Sequence, residues 1–199
     1  MAVFDFDHDY ILENERTILR PLIKSDLENL SIYSLEEPEL WDYSLTPADG
    51  LKNLTSYMEM AIAGRTNKTA YPFIVFDKLK QKYAGSTRFY DYQAGNLSTQ
   101  LGYTWYGKAF QGSGLNKHCK YLLLEFAFEE LNLERVEFRA DALNARSVAA
   151  MKSIGCVEEG ILRSNCKSVS GRRDSIILSI LKNEWFAHVK QKLSDKLNR

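Results

Sequence analysis

The chain has 199 residues and carries 26 Lys and Arg against 26 Asp and Glu, so its formal charge is zero. That length suits one domain, residues 1–199, with most of its surface buried around one core. The charge balance, with no long basic run, argues against a nucleic acid held mainly through its phosphates.

Residues 1–14 form an acidic N-terminal extension without the positive region and apolar run of a signal peptide. Residues 16–19 carry the first clear strand, and Pro21 sets its exit. Ser25 with Glu28 three residues on is a capping box; it predicts a helix to about residue 35 that buries Leu27, Leu30 and Ile32. Glu36-Glu37-Pro38 ends it. Trp41 and its neighbours follow in a loop, before a second helix over 49–63 that Gly64 stops.

Residues 71–77 and 83–92 read as antiparallel strands joined by a charged turn, in which Lys78, Lys80 and Lys82 are a solvated hairpin. Ala94-Gly95-Asn96 turns into a central strand, 97–106. Leu97, Thr99, Leu101, Tyr103 and Trp105 lie on one side of it, and Ser98, Gln100, Gly102, Thr104 and Tyr106 on the other. Leu115, Cys119, Leu122, Leu123, Phe126 and Ala127 then recur at helical spacing. The alternation over 135–140 gives a strand parallel to the central one, reached by a right-handed crossover. Residues 147–154 form a short helix ended by Gly155, 157–163 and 174–181 pair through Ser170-Gly171, and a charged helix closes the chain within 184–199. The fold class is therefore α+β, three layers, with a mixed and mostly antiparallel central sheet and helices on both faces.

No stretch approaches a membrane span, so no membrane partner is expected. Cys119, Cys156 and Cys166 are odd in number and unpatterned, which suits a reducing, cytoplasmic setting. His8, His118 and His188 lie far apart without metal-ligand spacing, and no metal is expected.

The stretch Gln111-Gly112-Ser113-Gly114-Leu115-Asn116-Lys117 joins the central strand to its helix. Glycines there let successive N–H groups at a helix start converge on a phosphate, with the positive end of the helix dipole behind them. A tight strand-to-helix turn would use the same residues. A dinucleotide fingerprint lacks its third glycine, because position 117 is Lys117, and a Walker A loop lacks Gly-Lys-Ser/Thr.

Taken together, Gln111-x-x-Gly114, a helix and a strand, Asp141-Ala142-Leu143-Asn144-Ala145-Arg146-Ser147 and Gly155 are spaced in a way that resembles the GNAT N-acetyltransferase superfamily. Leu19-Arg20-Pro21-Leu22 with Asp26, Leu101-Gly102-Tyr103, and Glu159-Gly160-x-Leu162-Arg163 are similar to its ribosomal-protein (Rim-type) branch. The resemblance spans about residues 15–186. It implies a GNAT-like fold and acetyl-CoA as cosubstrate, with the pyrophosphate on the backbone of Gly112, Ser113, Gly114, Leu115 and Asn116. Gln111 opens that loop, and Lys117 adds charge. Trp105 and Tyr106 fall where family members splay a strand to receive the pantetheine arm. A backbone N–H there would hold the thioester oxygen, a role worth about 3 kcal/mol in other enzymes.

Asn144 matches the family's cofactor-contacting asparagine and equally suits a helix cap. Ser147, one turn later, and Gln100, on the central strand, are the catalytic candidates. The chain departs from the family where Met151 replaces a common tyrosine acid, Gln100 a glutamate and Asn116 a small residue. An amide is no base at neutral pH. At a pKa of about 7.8 roughly one α-amine in seven is neutral at pH 7, against about 0.04% of lysine side chains, a difference of about 3.5 kcal/mol. The expected acceptor is thus the α-amino group of a protein or peptide, assisted by water or by Glu36, Glu37 or Asp42. A small amine (amino acid, polyamine or antibiotic) and a non-catalytic acyl-CoA-binding module are the alternatives. Trp41 and the loops around it mark either a homodimer face or a substrate cleft.

Overall fold

The structure, a computed structural model, describes residues 4–168 and 171–197. A two-residue strand that the pattern did not reveal, β1 (Leu12–Glu13), pairs with β2 (Thr17–Pro21). β2 buries Thr17, Leu19 and Pro21 and leaves Ile18 and Arg20 half-buried, the period-two signature of a strand with one face on a core. β3 (Ala70–Asp77), β4 (Lys82–Gln93) and β5 (Ser98–Tyr106) continue the antiparallel meander. β5 then runs parallel to β6 (Arg135–Asp141), as the crossover requires. β7 (Val157–Ser168) and β8 (Gly171–Leu181) are longer than expected, and the sheet order is β1-β2-β3-β4-β5-β6-β8-β7. The turn assigned to Ser170-Gly171 lies partly outside the described residues; Ser168 pairs with Gly171 on either side of it.

Helices cover both faces. The Thr17 hydroxyl meets Cys119 of α3 (Leu115–Glu125), whereas Arg20, an odd number of residues on, reaches Asp26 before α1 (Leu27–Glu36) on the other side. α1 packs with α2 (Gly50–Thr66), and α3 packs with the C-terminal helix. The N-terminal extension joins the core, because Phe4 is buried against Tyr71, Phe89 and Phe126.

Several elements differ from expectation for identifiable reasons. Ser25 and Glu28 form no capping box; the turn before α1 is held by Asp26 instead. Asp26, 1% exposed, accepts both guanidinium nitrogens of Arg20 at 2.8 and 2.7 Å and the Ile23 N–H at 3.0 Å. α1 consequently starts at Leu27, half-buries that residue, buries Leu30 and Tyr33, and exposes Ile32. α2 runs through Gly64 to Thr66, because that glycine is a packing residue: a Cβ there would stand 3.0 Å from the Ala70 Cβ. α4 (Ala145–Ser153) begins two residues early, capped by Asn144. The closing helix starts as α5 (Lys182–Glu184), continues through a π turn over Trp185–Val189 that seats Trp185 against Phe128, and ends as α6 (Lys190–Leu197).

Candidate active site

β5 leaves its parallel neighbour soon after meeting it. Only Ser98, Thr99 and Gln100 pair with β6, at Arg135, Val136 and Glu137, whereas β6 keeps its partner β8 throughout. The cause is a bulge. Arg88 faces Gly102 and Ser86 faces Trp105, so β5 carries one residue more than β4 between these pairs, and Tyr103 takes a left-handed φ of 50°. The simple alternation read from the sequence stops there. A cavity of about 610 Å³ fills the opening, walled by β5 from Gln100 to Tyr106 and by β6 from Phe138 to Asp141.

The glycine loop closes one end of this cavity. Gly112 and Gly114 have φ of 70° and 86°, and a Cβ on either would meet nothing within 4 Å. Their role is conformational, and they leave open space above the helix start. Among the described residues, the N–H groups of Gly112, Gly114 and Asn116 find no acceptor, whereas Lys117 donates to the Gly114 carbonyl at 2.9 Å. Gly114 and Asn116 are orphan donors of the helix N-terminus, Gly112 adds one from the loop, and together they suit a phosphate.

The rest of the loop divides. Gly112, Gly114, Asn116 and Lys117 line the cavity. Leu115 is buried in the core and offers only its backbone; the Ser113 hydroxyl donates to the Phe110 carbonyl at 2.6 Å. Gln111 bridges the opening: its amide donates to the Tyr106 carbonyl at 2.9 Å and accepts from Arg146 of α4 at 2.5 Å.

Electrostatics favour a polyanion. In a chain of zero formal charge, Lys117, Lys120, Arg139, Arg146 and Arg173 line the cavity against one carboxylate, Asp141, among the described residues. Asp141 is engaged by the Leu143 N–H at 2.9 Å, and Arg139 by Glu137 at 2.6 Å. Burial pushes the Lys120 ammonium down to about 8. The donors and charges present thus fit the phosphates of a coenzyme A.

Asn144, Ser147 and Met151 face the same cavity from α4. Asn144 Oδ1 accepts the Ser147 N–H at 3.0 Å, so the residue caps its helix and keeps its amide nitrogen for a ligand. Gln100 also lines the cavity, but its amide donates to Asp91 Oδ2 at 2.7 Å. Trp105 and Tyr106 are 8% and 7% exposed. Trp105 packs on Trp41 and Tyr33, and Tyr106 lies beside Cys119, so both serve the opening mainly through their backbone. Glu36, Glu37 and Asp42 stand outside the cavity wall, and Glu37 accepts the Lys108 N–H at 2.7 Å. Trp41 is 4% exposed and belongs to the wall of the cleft.

Sequence reasoning missed Arg146, Arg173 and Lys120. Arg146 stood inside the Asn144-to-Ser147 motif. Lys120 broke the apolar stripe Lys120-Leu123-Ala127 with a charge, which is the signal that could have found it.

Residues 16–157 match the family described as "Acetyltransferase (GNAT) domain". "Probable N-acetyltransferase YjcK" of Bacillus subtilis (strain 168) is 29% identical over 181 residues, covering 86% of this chain and 97% of that protein. "Putative ribosomal N-acetyltransferase YdaF" of the same organism is 37% identical over 90 residues, covering 45% of this chain and 49% of that protein. Among solved structures, the crystal structure of a "putative acetyltransferase" from T. thermophilus superposes with a TM-score of 0.85 at 30% identity, covering 99% of this chain and 100% of that one. The splayed strands, the phosphate-ready loop and a match over most of the chain lead to one conclusion: the chain belongs to the GNAT family of N-acetyltransferases.

Proposed function

We propose that this protein moves an acetyl group from acetyl-CoA to a primary amine, and that the amine is the α-amino group of a protein or peptide. The observation that carries the reading is the polarity of one cavity, with free N–H groups and unpaired cations at one end and an amide in place of a base at the other. The N–H groups of Gly112, Gly114 and Asn116, with Lys117 and Arg146, would hold the phosphates. The Asn144 amide nitrogen and the unpaired edge of β5 would orient the arm. Acetyl-CoA supplies an activated thioester.

Gln100 is held on Asp91 and takes no proton, and Asp141, the one carboxylate of the wall among the described residues, accepts a backbone N–H. A site so built favours an amine that is already neutral near pH 7. That is the α-amine, by about 3.5 kcal/mol over a lysine side chain. The name of the partly matching YdaF points to ribosomal proteins, and such an acceptor is included in the proposal.

Arg173 supports a second reading. It is 8% exposed, lines the cavity and has no carboxylate within ion-pair distance among the described residues, so a free amino acid could pair its carboxylate there. Thiol release from acetyl-CoA against peptide N-termini, N-acetylated lysine peptides, free amino acids, polyamines and aminoglycosides tests both. Turnover confined to peptide N-termini supports the first reading, turnover confined to amino acids the second, and CoA binding without any turnover a non-catalytic module.

A further inference from the structure

Lys120 has no obvious structural reason to be where it is. It is 5% exposed, on a helix face otherwise given to the core, and no carboxylate lies within ion-pair distance among the described residues. Burying an unpaired cation is costly, and a fold that only needed packing would place an aliphatic residue there.

Its position suggests the reason. Nζ donates to Thr104 Oγ1 of β5 at 2.8 Å and to Thr87 Oγ1 of β4 at 3.3 Å, and lies 5.9 Å from the ring centre of Phe138 on β6. The ammonium therefore sits between the two diverging strands, one residue past the bulge, as the floor of the opening. Two of its three N–H groups are taken by hydroxyls, and the third has no protein acceptor among the described residues. The titratable groups that act on it are the thiols of Cys119, from its own helix, and Cys156, from the α4–β7 connection. Burial pushes both thiols up, Cys156 to about 12, so each is neutral near pH 7. Among the described residues, its contacts with β4, β5 and β6 are the hydroxyls of Thr87 and Thr104 and the ring of Phe138.

We propose that the Lys120 ammonium is the proton donor to the departing CoA thiolate, a catalytic role resting on the acetyltransferase reading above. Met151, in the same wall, offers no proton. As the new C–N bond forms and the C–S bond breaks, the C–S electron pair stays on sulfur. Lys120 gives sulfur one proton from Nζ and regains one from water that has taken the proton shed by the acceptor nitrogen. The hydroxyls of Thr104 and Thr87 hold the amine in place in both charge states, because each can accept or donate.

The first test needs no acceptor. CoA bound to the wild-type protein is titrated by the ultraviolet absorbance of its thiolate. With Lys120 beneath the sulfur, the bound thiol ionises at least one pH unit below free CoA, and Lys120→Met abolishes that shift. A bound thiol that titrates like free CoA, or an unchanged shift in Lys120→Met, overturns the proposal.

The second test uses turnover. Lys120→Met lowers kcat about 10²-fold at pH 7, the lower end of general-acid effects, while KM for acetyl-CoA stays within about threefold. The wild-type rate falls above pH 8 as the ammonium is lost, and the variant has no such limb. Thr104→Val keeps the lysine but withdraws an acceptor, which moves the limb to lower pH. Equal kcat and equal profiles in the variants overturn the role of Lys120. Wild-type protein that shows the thiol shift yet acetylates no amine overturns the transferase reading instead.

Discussion

Lys120 makes the account quantitative in a second property, stability. In the unfolded chain a lysine titrates near 10.5, and in the fold burial brings Lys120 down to about 8. A difference of about 2.5 units corresponds to about 3 kcal/mol at pH 7 that the fold spends on holding this charge. The folded-state value lies below the unfolded one, so between about pH 8 and 10.5 the unfolded chain binds more protons and stability rises with pH. Below pH 8 the full cost is present. Lys120→Met removes the charge but also two hydrogen bonds to hydroxyls, each worth about 1 kcal/mol. The variant should therefore be more stable than wild type by about 1–2 kcal/mol at pH 7, and the advantage should vanish or reverse by pH 10. Urea unfolding of both proteins across pH 6–10 reads this directly. A difference that does not change with pH, or a variant less stable at pH 7, would refute the reasoning.

Other positions give sharper contrasts. Asn144→Asp keeps the acceptor that caps α4 and loses the amide donor, so it should unfold like wild type yet bind CoA at least tenfold more weakly by calorimetry; Asn144→Ala should lose both affinity and about 1 kcal/mol of stability. Lys117→Ala and Arg146→Ala should each weaken CoA binding and flatten its dependence on added salt, because neither cation has an internal carboxylate among the described residues. Asp26→Ala strips the buried partner of Arg20 and the Ile23 N–H, and should cost about 3–5 kcal/mol in urea unfolding with CoA affinity unchanged, since Asp26 lies outside the cavity wall.

Much of the fold was legible because local pattern and tertiary role agree along it. The alternation in β2 and β6 and the apolar stripe of α3 each face one core, so period located them, while β3 showed as a short apolar run buried on both faces. Misreadings arose where a residue answers to a distant partner. Gly64 looked like a stop and is a contact point for Ala70; Ser25 looked like a cap, while Asp26, held by Arg20, fixes the turn before the helix. The loop glycines were legible because a left-handed φ of 70° or 86° is costly for other residues. Tyr103 was not, since nothing local marks a tyrosine for a φ of 50°; the bulge that opens the cleft is set by pairing with β4. The cations converge from α3, α4, β6 and β8, which no single stretch displays.

The central claim is that the opening between β5 and β6 is a coenzyme A site. Calorimetric titration of CoA into the wild-type protein, repeated with Gly114→Val, tests it most directly. A Cβ at Gly114 meets nothing within 4 Å in the protein itself, so the first added atom enters the open space above the helix start, and the left-handed φ of 86° adds backbone strain in the loop. The account predicts one site per chain, weakened by salt, with affinity lost in the variant while its urea unfolding stays within about 2 kcal/mol of wild type. Absence of binding to wild type, or equal binding to the variant, would contradict it.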